Sequence, residues 1–382
     1  MDGQVYASPL IVEGHVIVAT ENNSVYSLDI FTGSLIWSKH LGDPVDASSL
    51  PCGNIRPVSG ITGTPAVDPA TGRLYVVAYL RTHHHVLYAL SLADGSTLFQ
   101  QDIDPPGSNP SVQQLRGALA VGSGRVYVPF GGLFGDCGQY RGHVVGVPLG
   151  GGPAQTYTVP NSRGASIWAP QGPTIASDGS VYVVTGNGFD STFRYGNAVI
   201  QLSADLQSVK SYFAPSNWPT LNANDTDLGS TGVAVLPSLG RAMVIGKEGV
   251  AYLLAAGSLG GIGGQVASRH VCSGAWGGTA WLESTVFVPC IDGLYALSVT
   301  ASSIGVAWRA SPSLASPIIS AGAVWAIEPS SATLFALDPA NGHVLYSLGL
   351  GAAQHFSTPA ATDGFVVAPA GTRVVAVSVV DS

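Results

Sequence analysis

The chain has very little charge for its 382 residues. Asp, Glu, Lys and Arg together make up 10% of the residues, lysine occurs only at Lys39, Lys210 and Lys247, and the formal net charge is −8. A nucleic-acid surface needs clustered Lys and Arg to neutralise phosphates. The sequence contains no basic run, so we exclude nucleic acid as a partner.

Long apolar runs are also missing. No window holds the roughly 18 unbroken apolar residues that a membrane-spanning helix needs. The N-terminal sequence MDGQVYASPL lacks the basic region and following apolar region of a signal peptide. We therefore expect neither a transmembrane segment nor a signal peptide within this chain.

Helical periodicity is not sustained anywhere, whereas a β-rich unit recurs along the chain. Each unit opens with small residues and often proline, and successive openings lie about 38 to about 60 residues apart. The eight openings are YASPLIVEG from Tyr6, ITGTPAVDP from Ile61, LRGALAVGSG from Leu115, IWAPQGPTIASDG from Ile167, DLGSTGVAVLPSLG from Asp227, AWGGTAWLES from Ala275, SLASPIISAG from Ser313 and QHFSTPAATDG from Gln354.

Runs rich in Val, Ile, Tyr and Thr follow these openings, and such composition is typical of strands. Examples are HVIVAT (His15 to Thr20) and RLYVVAY (Arg73 to Tyr79), and later runs such as LYALSLADGSTLF (Leu87 to Phe99) enclose a further turn. Four antiparallel strands repeated eight times predict an all-β, eight-bladed β-propeller with four-stranded blades. We expect one domain spanning residues 1–382 and a monomer.

An aliphatic-Asp-x-x-Thr/Asn-Gly turn followed by an aromatic residue recurs in the units. It is clearest in LDIFTG (Leu28 to Gly33) with Trp37 and in LDPANG (Leu337 to Gly342). This repeat resembles the tryptophan-docking repeat of pyrroloquinoline-quinone (PQQ) propellers, and the resemblance covers essentially the whole chain. The same repeat occurs in dehydrogenases, in non-enzymatic scaffolds and in assembly lipoproteins of outer membranes.

The ends of the chain raise the question of how the ring closes. The last unit finishes with TRVVAVSVVDS, a third strand, and only Met1 to Val5 precede the first inner strand. Either those few residues complete the eighth blade, or a closing strand lies upstream. Because mid-repeat sequence follows the first Met directly, we favour a longer secreted precursor whose export segment is not in this chain.

The four cysteines are far apart in sequence and form no Cys-x-x-Cys or Cys-x-x-Cys-His motif, which disfavours zinc knuckles and covalent haem. Cys272 and Cys290 bracket the first hairpin of the sixth unit. Cys52 lies in the connection between the first and second units and Cys137 in a loop of the third unit, and these two places are near neighbours in a ring. We predict two disulfides in these pairs, which would place the protein in the periplasm or outside the cell. Two reduced, partly buried pairs are the alternative.

The stretch NDTDLGSTG (Asn224 to Gly232) places two carboxylates two residues apart in this charge-poor chain. In a propeller, the connections between blades and the loops joining second and third strands share one face, here called the upper face. We expect the residues at these positions to surround an axial funnel. They are Arg116, Asp136, Trp168, Asn187, Asp225, Asp227, Lys247, Trp276 and His355.

Several of these residues match motifs of PQQ alcohol dehydrogenases. The resemblance implies that Asn187, in Thr-Gly-Asn after a second strand, supplies a metal-binding amide, and that Asp225 or Asp227 is the catalytic base. It also implies that Lys247, in Lys-Glu-Gly, contacts the quinone. The implied cofactors are PQQ and Ca²⁺ or a lanthanide, since hard cations take oxygen ligands and a second carboxylate suits a more highly charged ion.

The remaining candidates follow from their chemistry. Trp168 or Trp276 could stack on a planar cofactor, and Arg116 and His355 could bind its anionic groups. The sequence departs from the family in two places. No two cysteines are adjacent, and the third unit offers Asp136 or Gln139 where a metal-binding glutamate is expected.

Structural roles compete with each of these assignments. Asp225 and Asp227 could cap turns, Lys247 could be an exposed turn residue, and the two tryptophans could belong to the core. The run His83-His84-His85 is not expected to bind one metal ion, because consecutive strand residues point to opposite faces. Two functions remain: a secreted dehydrogenase that oxidises an alcohol or sugar hydroxyl, and a non-catalytic propeller that binds a protein, polymer or glycan on its upper face.

Overall fold

The computed structural model describes residues 1–362 and 364–379. In these residues the strands form eight small antiparallel sheets, which are the blades of a β-propeller. The short first strands of neighbouring blades contact one another around the axis, and Leu10–Val12 of the first blade meets Ala360–Thr362 of the eighth. The eight-bladed, all-β architecture is confirmed.

Each of the first four blades contains four strands that are consecutive in the chain. Blade 1 contains Leu10–Val12, His15–Ala19, Ser24–Asp29 and Leu35–His40. Blade 2 contains Ala66–Asp68, Arg73–Tyr79, His85–Ser91 and Thr97–Asp102. Blade 3 contains Ala120–Gly122, Arg125–Gly132, His143–Pro148 and Gln155–Thr158, with Gln113–Gln114 also paired to its second strand. Blade 4 contains Thr174–Ile175, Val181–Val184, Val199–Leu202 and Val209–Ala214, with Gly261–Ile262 added in parallel at its outer edge.

The remaining blades complete the ring. Blade 5 contains Ala234–Leu236, Arg241–Ile245, Val250–Ala255 and Ala267–His270. Blade 6 contains Ala280–Leu282, Thr285–Cys290, Gly293–Val299 and Ile304–Ala310. Blade 7 contains Ile318–Ser320, Ala323–Glu328, Thr333–Leu337 and Val344–Gly349. Blade 8 contains Ala360–Thr362, Phe365–Ala370 and Arg373–Ser378.

A few short elements lie between the blades. Val45–Asp46 and Val58–Ser59 form a two-stranded ribbon. The single α-helix of the described residues, Trp218–Ala223, lies between blades 4 and 5, and it is too short to cross a bilayer. The 3₁₀ turns are Ala47–Ser49, Pro110–Val112, Leu228–Ser230 and Pro237–Leu239.

Tyrosines on the second strands of blades 2 and 3 join these blades to the next ones. The Tyr75 hydroxyl of blade 2 donates a hydrogen bond to Leu149 O of blade 3 at 2.8 Å, and the Tyr127 hydroxyl of blade 3 donates to Ala204 O of blade 4 at 2.7 Å. Both rings are fully buried, so each tyrosine fills the space between sheets and satisfies its polar end at a turn of the next blade.

Two tryptophans dock on turns of the next blades. The indole N–H of Trp37 donates to Leu92 O at 2.9 Å, and that of Trp308 donates to Pro339 O at 2.9 Å. A Cβ at Gly95 or at Gly342 would lie 2.6 Å from the docked ring. Glycine in each turn therefore lets the indole of the preceding blade pack flat against the backbone.

The N-terminal residues lie at the junction of blades 1 and 8. Val5 N donates to Gly371 O at 2.9 Å, and the amino group of Met1 donates to Thr372 O at 2.8 Å. Val5 also packs with Val16 and Val367 in a cluster that joins the two blades. Residues 1–5 thus contact the turn between the last two described strands of blade 8.

Both predicted disulfides are confirmed. Cys52 is bonded to Cys137 and Cys272 to Cys290, with Cα–Cα distances of 6.2 and 6.3 Å. The first bond ties the loop that follows blade 1 to the upper-face loop of blade 3. The second closes a loop beside the axial end of blade 6.

Candidate functional site

The upper face contains an axial funnel with a cavity of about 290 Å³. All nine residues that the sequence placed around the axis line this one cavity. They are Arg116, Asp136, Trp168, Asn187, Asp225, Asp227, Lys247, Trp276 and His355. Three blade loops and five interblade connections therefore contribute side chains to one space.

The helix Trp218–Ala223, which no periodicity in the sequence indicates, sets the position of the two aspartates. It ends just before Asp225, which has a left-handed φ of 52°. Asn222 Oδ1 accepts hydrogen bonds from Gly188 N at 3.0 Å and from Asn197 Nδ2 at 2.8 Å. These bonds fix the helix against the upper loop of blade 4.

Asp227 is the most buried charged residue of the funnel, with 4% of its surface exposed. Its Oδ1 accepts a hydrogen bond from Asn187 N at 2.6 Å, and its Oδ2 lies 2.7 Å from Lys247 Nζ. Burial raises the pKa of Asp227, and the ammonium of Lys247 offsets part of that effect. Burial acts to lower the pKa of Lys247, but the carboxylates of Asp227 and Asp225 outweigh it and the pKa is raised.

Two glycines allow the loops to approach this carboxylate. A Cβ at Gly186 would lie 2.4 Å from Asp227 Oδ1, and a Cβ at Gly246 would lie 2.4 Å from Asp227 O. Any side chain at either position would push Asp227 away from Asn187 or from Lys247. Glycine at Gly186, before Asn187, and at Gly246, before Lys247, is therefore needed for the close approach of Asp227.

Asp225 lies on the solvent side of the same group. Its side chain is 64% exposed, and its Oδ2 is 3.3 Å from Lys247 Nζ. The free end of the Asn187 amide lies 2.8 Å from Asp227 Oδ1 and 3.3 Å from Asp225 Oδ1, where its NH₂ donates to both carboxylates. Rotating the amide by half a turn would direct its oxygen to the same point, so three side chains can offer oxygen ligands to one cation.

Asp136 lines the same cavity and is held by other partners. It accepts a hydrogen bond from the Tyr140 hydroxyl, and its backbone oxygen accepts one from Arg163. Within residues 1–362 and 364–379, no cluster with oxygens all within 4.8 Å joins Asp136 to Asp225 and Asp227. Asp136 therefore lines the funnel without sharing one point with the other two carboxylates.

Aromatic side chains form the rest of the wall. Trp168 lies with its ring 5.9 Å from Lys247 Nζ, and its ring centroid is 6.2 Å from that of Phe356. Trp276 lines both the funnel and an adjoining cavity of about 310 Å³. Both tryptophans are half-buried at the cavity surface, so they are accessible to a ligand.

Phe356 is a funnel residue that the sequence analysis missed. It lines the funnel, the adjoining cavity and a third chamber of about 220 Å³ further along the axis. Its φ is +69°, which is strained for an aromatic residue. A large apolar residue directly after His355 was the only sequence signal.

The cationic part of the funnel lies beneath Phe356. Arg116 lies with its guanidinium carbon 5.6 Å from the Phe356 ring centroid, and its Nη2 donates to Asn54 Oδ1 at 2.9 Å. Burial, together with the charge of Arg116, lowers the pKa of His355. Arg116 and His355 both line the funnel and the axial chamber.

Comparison with known proteins agrees with the fold. The fold is that of the PQQ-like propeller family. The chain belongs to the family whose model is described as outer membrane protein assembly factor BamB, which matches residues 1–217, more than half of the chain. No functionally curated protein matches the sequence.

Solved structures extend the similarity over almost the whole chain. Quinohemoprotein alcohol dehydrogenase ADHIIG from Pseudomonas putida HK5 has a TM-score of 0.76 at 15% identity, covering 98% of this chain and 71% of its own. A europium-containing methanol dehydrogenase has a TM-score of 0.71 at 14% identity, covering 92% and 80%. BamB from Moraxella catarrhalis has a TM-score of 0.64 at 12% identity, covering 97% and 92%. At these identities the similarity establishes the fold alone.

Proposed function

We propose that the funnel binds a PQQ-type quinone together with a hard cation, and that the protein is a dehydrogenase acting on an alcohol or sugar hydroxyl. The observation that carries the proposal is the group formed by Asp227, Asn187 and Lys247. A buried carboxylate, an amide and an ammonium meet within hydrogen-bond distance at the wall of an open cavity. Perturbed ionisable groups that converge in a cleft are typical of functional sites.

The donor set fits a Ca²⁺ or lanthanide ion. Asp225, Asp227 and Asn187 offer carboxylate and amide oxygens around one point, and oxygen is the ligand that such cations prefer. Three protein ligands leave coordination positions for oxygens of a cofactor. The europium-containing methanol dehydrogenase has the same fold, which supports this choice of metal.

The cavity also fits a planar, anionic molecule. Trp168 provides a flat apolar surface on one side, while Arg116 and Lys247 provide positive charge at the edges. A bound quinone would supply the acceptor for the two electrons that leave the substrate carbon.

This chain's own residues would handle the proton. Asp227 accepts the proton of the substrate hydroxyl, because its carboxylate lies at the wall of the cavity, beside the donor set for the cation and within reach of a bound substrate. Lys247 holds Asp227 in place through the 2.7 Å contact with Oδ2. Asn187 N binds the other oxygen of the carboxylate and fixes its orientation.

The two disulfides support a location in an oxidising compartment, the periplasm or the outside of the cell. The test is reconstitution: the protein is incubated with PQQ and Ca²⁺ or La³⁺, and dye reduction is measured with a panel of alcohols and aldoses. Cofactor-dependent reduction that Asp227→Asn abolishes supports the proposal, and no reduction with any combination contradicts it.

A second function is favoured by a separate observation. Phe134, Phe189 and Ile291 are 65%, 49% and 53% exposed, and all three lie in loops between second and third strands, on the face that carries the funnel. Exposed apolar residues around a concave surface are typical of a binding face for a protein or glycan. BamB, whose family includes this chain, has the same fold. Under this alternative the funnel holds no cofactor, and a charged substitution at Phe134 or Phe189 would abolish binding of the partner.

A further inference from the structure

A buried histidine lies between the axis and the outer surface of blade 2. His85 begins the third strand of this blade and is 1% exposed. Its ring stacks on Tyr79 with a centroid distance of 4.2 Å and an angle of 4°, and the edge of the ring meets Phe130. Packing therefore fixes the plane of the imidazole.

The two ring nitrogens of His85 have different surroundings. Nδ1 lies 2.8 Å from Asp104 Oδ1. Nε2 is enclosed and has no hydrogen-bond partner among the described residues. A buried polar atom without a partner costs about 1–3 kcal/mol, so native proteins satisfy nearly all such atoms through protein or ordered water.

A small cavity adjoins His85. Its volume is about 10 Å³, and His85, Thr62, Gly60 and Gln114 are among its lining residues. This is about the space that one water molecule requires. Thr62 also lines the axial chamber, and Gln114 also lines the funnel. Single side chains therefore separate this cavity from the two axial spaces.

A buried carboxylate lies on the other side of Thr62. The Thr62 hydroxyl is 2.9 Å from Glu21 Oε1, and Gly60 N donates to Glu21 Oε2 at 2.7 Å. Burial raises the pKa of Glu21 to about 7, and these hydrogen bonds offset part of the effect. Tyr6 and Arg116 are the other ionisable groups that face Glu21.

We propose that one water molecule in the small cavity connects His85 Nε2 to Thr62, and that Glu21, Thr62, this water, His85 and Asp104 form a proton path from the axis to the surface. Each member both accepts and donates a proton. A proton leaving Glu21 passes to the Thr62 oxygen as that hydroxyl releases its own proton to the water. The water then protonates His85 Nε2, and Nδ1 releases a proton to Asp104. One proton enters, one leaves, and no electron moves.

The outer end of the path is open to solvent. Asp104 Oδ2 lies 2.7 Å from His84 Nδ1, and the His84 side chain is 53% exposed. Burial acts to raise the pKa of Asp104, but the hydrogen bonds and charge of His85 outweigh it and the pKa is lowered. Asp104 therefore accepts a proton only in passing and delivers it to His84 or to water.

The role of this path in catalysis rests on the proposed function, since oxidation of a hydroxyl releases protons in the funnel. The path itself does not depend on a cofactor. Its first test is a crystal structure of the protein without cofactor at a resolution that shows ordered water. We expect one water within about 2.7–3.2 Å of both His85 Nε2 and Thr62 Oγ1. A cavity without density, or with His85 Nε2 bonded to a protein group, overturns the proposal.

The second test measures proton transfer in the same cofactor-free protein. A pH jump across pH 7 is followed by time-resolved infrared spectroscopy of Glu-labelled protein, and Glu21→Gln identifies the Glu21 band. We expect His85→Phe and Thr62→Val to slow protonation of Glu21 by at least roughly tenfold, because positioned groups accelerate proton transfer by factors of this order or more.

The matched control is His143→Phe. His143 is also 1% exposed, but its Nδ1 contacts Thr158 Oγ1 and it does not line the small cavity. This variant should leave the rate unchanged. Equal rates in wild type, His85→Phe and Thr62→Val would show that Glu21 exchanges protons through the axial chamber instead. If His85→Phe does not fold, the nearly isosteric Thr62→Val decides the question. If the variants slow Glu21 protonation but the wild-type protein shows no activity after reconstitution with PQQ and metal, the proposed function is contradicted and the proton path is not.

Discussion

Replacing Lys247 by methionine tests whether the ammonium compensates a buried charge. Lys247 Nζ lies 2.7 Å from Asp227 Oδ2, and the two side chains are 20% and 6% exposed. Removing one partner of a fully buried pair costs about 3–5 kcal/mol. Because Lys247 is partly exposed in an open funnel, we expect about 2 kcal/mol for Lys247→Met at pH 8.

The sign of the pH dependence follows from Asp227. Burial raises its pKa in the folded protein, and loss of Lys247 raises it further. The folded variant then holds a proton on Asp227 that the unfolded chain releases above its ordinary pKa of about 4. The stability of Lys247→Met relative to wild type should therefore fall as the pH rises from 4 to 8, and the difference should be small near pH 4.

Denaturant unfolding with intact disulfides at several pH values measures this difference. The matched control is Lys210→Met, whose Nζ lies 2.8 Å from Asp178 with side chains 42% and 54% exposed. Such a surface pair contributes about 0–1 kcal/mol. The double variant Lys247→Met/Asp227→Asn should recover most of the loss. An equal, pH-independent cost for Lys247→Met and Lys210→Met would refute the argument.

Three further predictions concern the glycines, the disulfides and the base. Gly186→Ala should destabilise the fold by a few kcal/mol and prevent cation binding, because the new Cβ would lie 2.4 Å from Asp227 Oδ1. The control, in both thermal unfolding and cation titration, is Gly257→Ala, whose Cβ would meet nothing within 4 Å. Equal effects of the two substitutions would contradict the steric argument. Removing the disulfide Cys272–Cys290, with a sequence separation of 18, should lower the free energy of unfolding by about 3 kcal/mol. Removing Cys52–Cys137, with a separation of 85, should lower it by about 4.5 kcal/mol. Alkylation of native protein should detect no free thiol, and labelling of all four cysteines would contradict the pairing. In reconstituted enzyme, kcat/KM should fall at acidic pH, because Asp227 must be ionised to accept a proton. Asp227→Asn should be inactive at every pH, and activity with an unchanged pH profile in this variant would exclude Asp227 as the base.

The sequence predicted the architecture because blade structure is local. Each blade is a run of short strands with its own turns, so the pattern of valine, isoleucine and tyrosine is visible within some 50 residues. The docking of Trp37 on the turn of the next blade agrees with the tryptophan-docking repeat that its sequence resembles. The upper-face position of the loops then follows from topology, which is why Asn187, Asp227 and Lys247 could be assigned to one cavity.

Other features depend on packing between distant parts of the ring. Glu21, Thr62 and Arg116 approach one another only in the closed ring, and Phe356 adopts a positive φ that no local motif indicates. His85 belonged to a histidine run that the sequence indicated to be structural. Its environment, a carboxylate on one side and a small cavity on the other, arises from strands and loops that are not adjacent in sequence.

The central claim is that the funnel is a site for a quinone and a cation. Its most direct test is a titration of the protein with PQQ in the presence of Ca²⁺ or La³⁺, followed by quenching of tryptophan fluorescence. We predict saturable binding that requires the cation, is weakened in Trp168→Ala and Lys247→Met, and is lost in Asp227→Asn. Two results would contradict it. One is no binding up to about 1 mM PQQ, since a Kd of that size corresponds to an association free energy of only about −4 kcal/mol. The other is equal binding by wild type and Asp227→Asn.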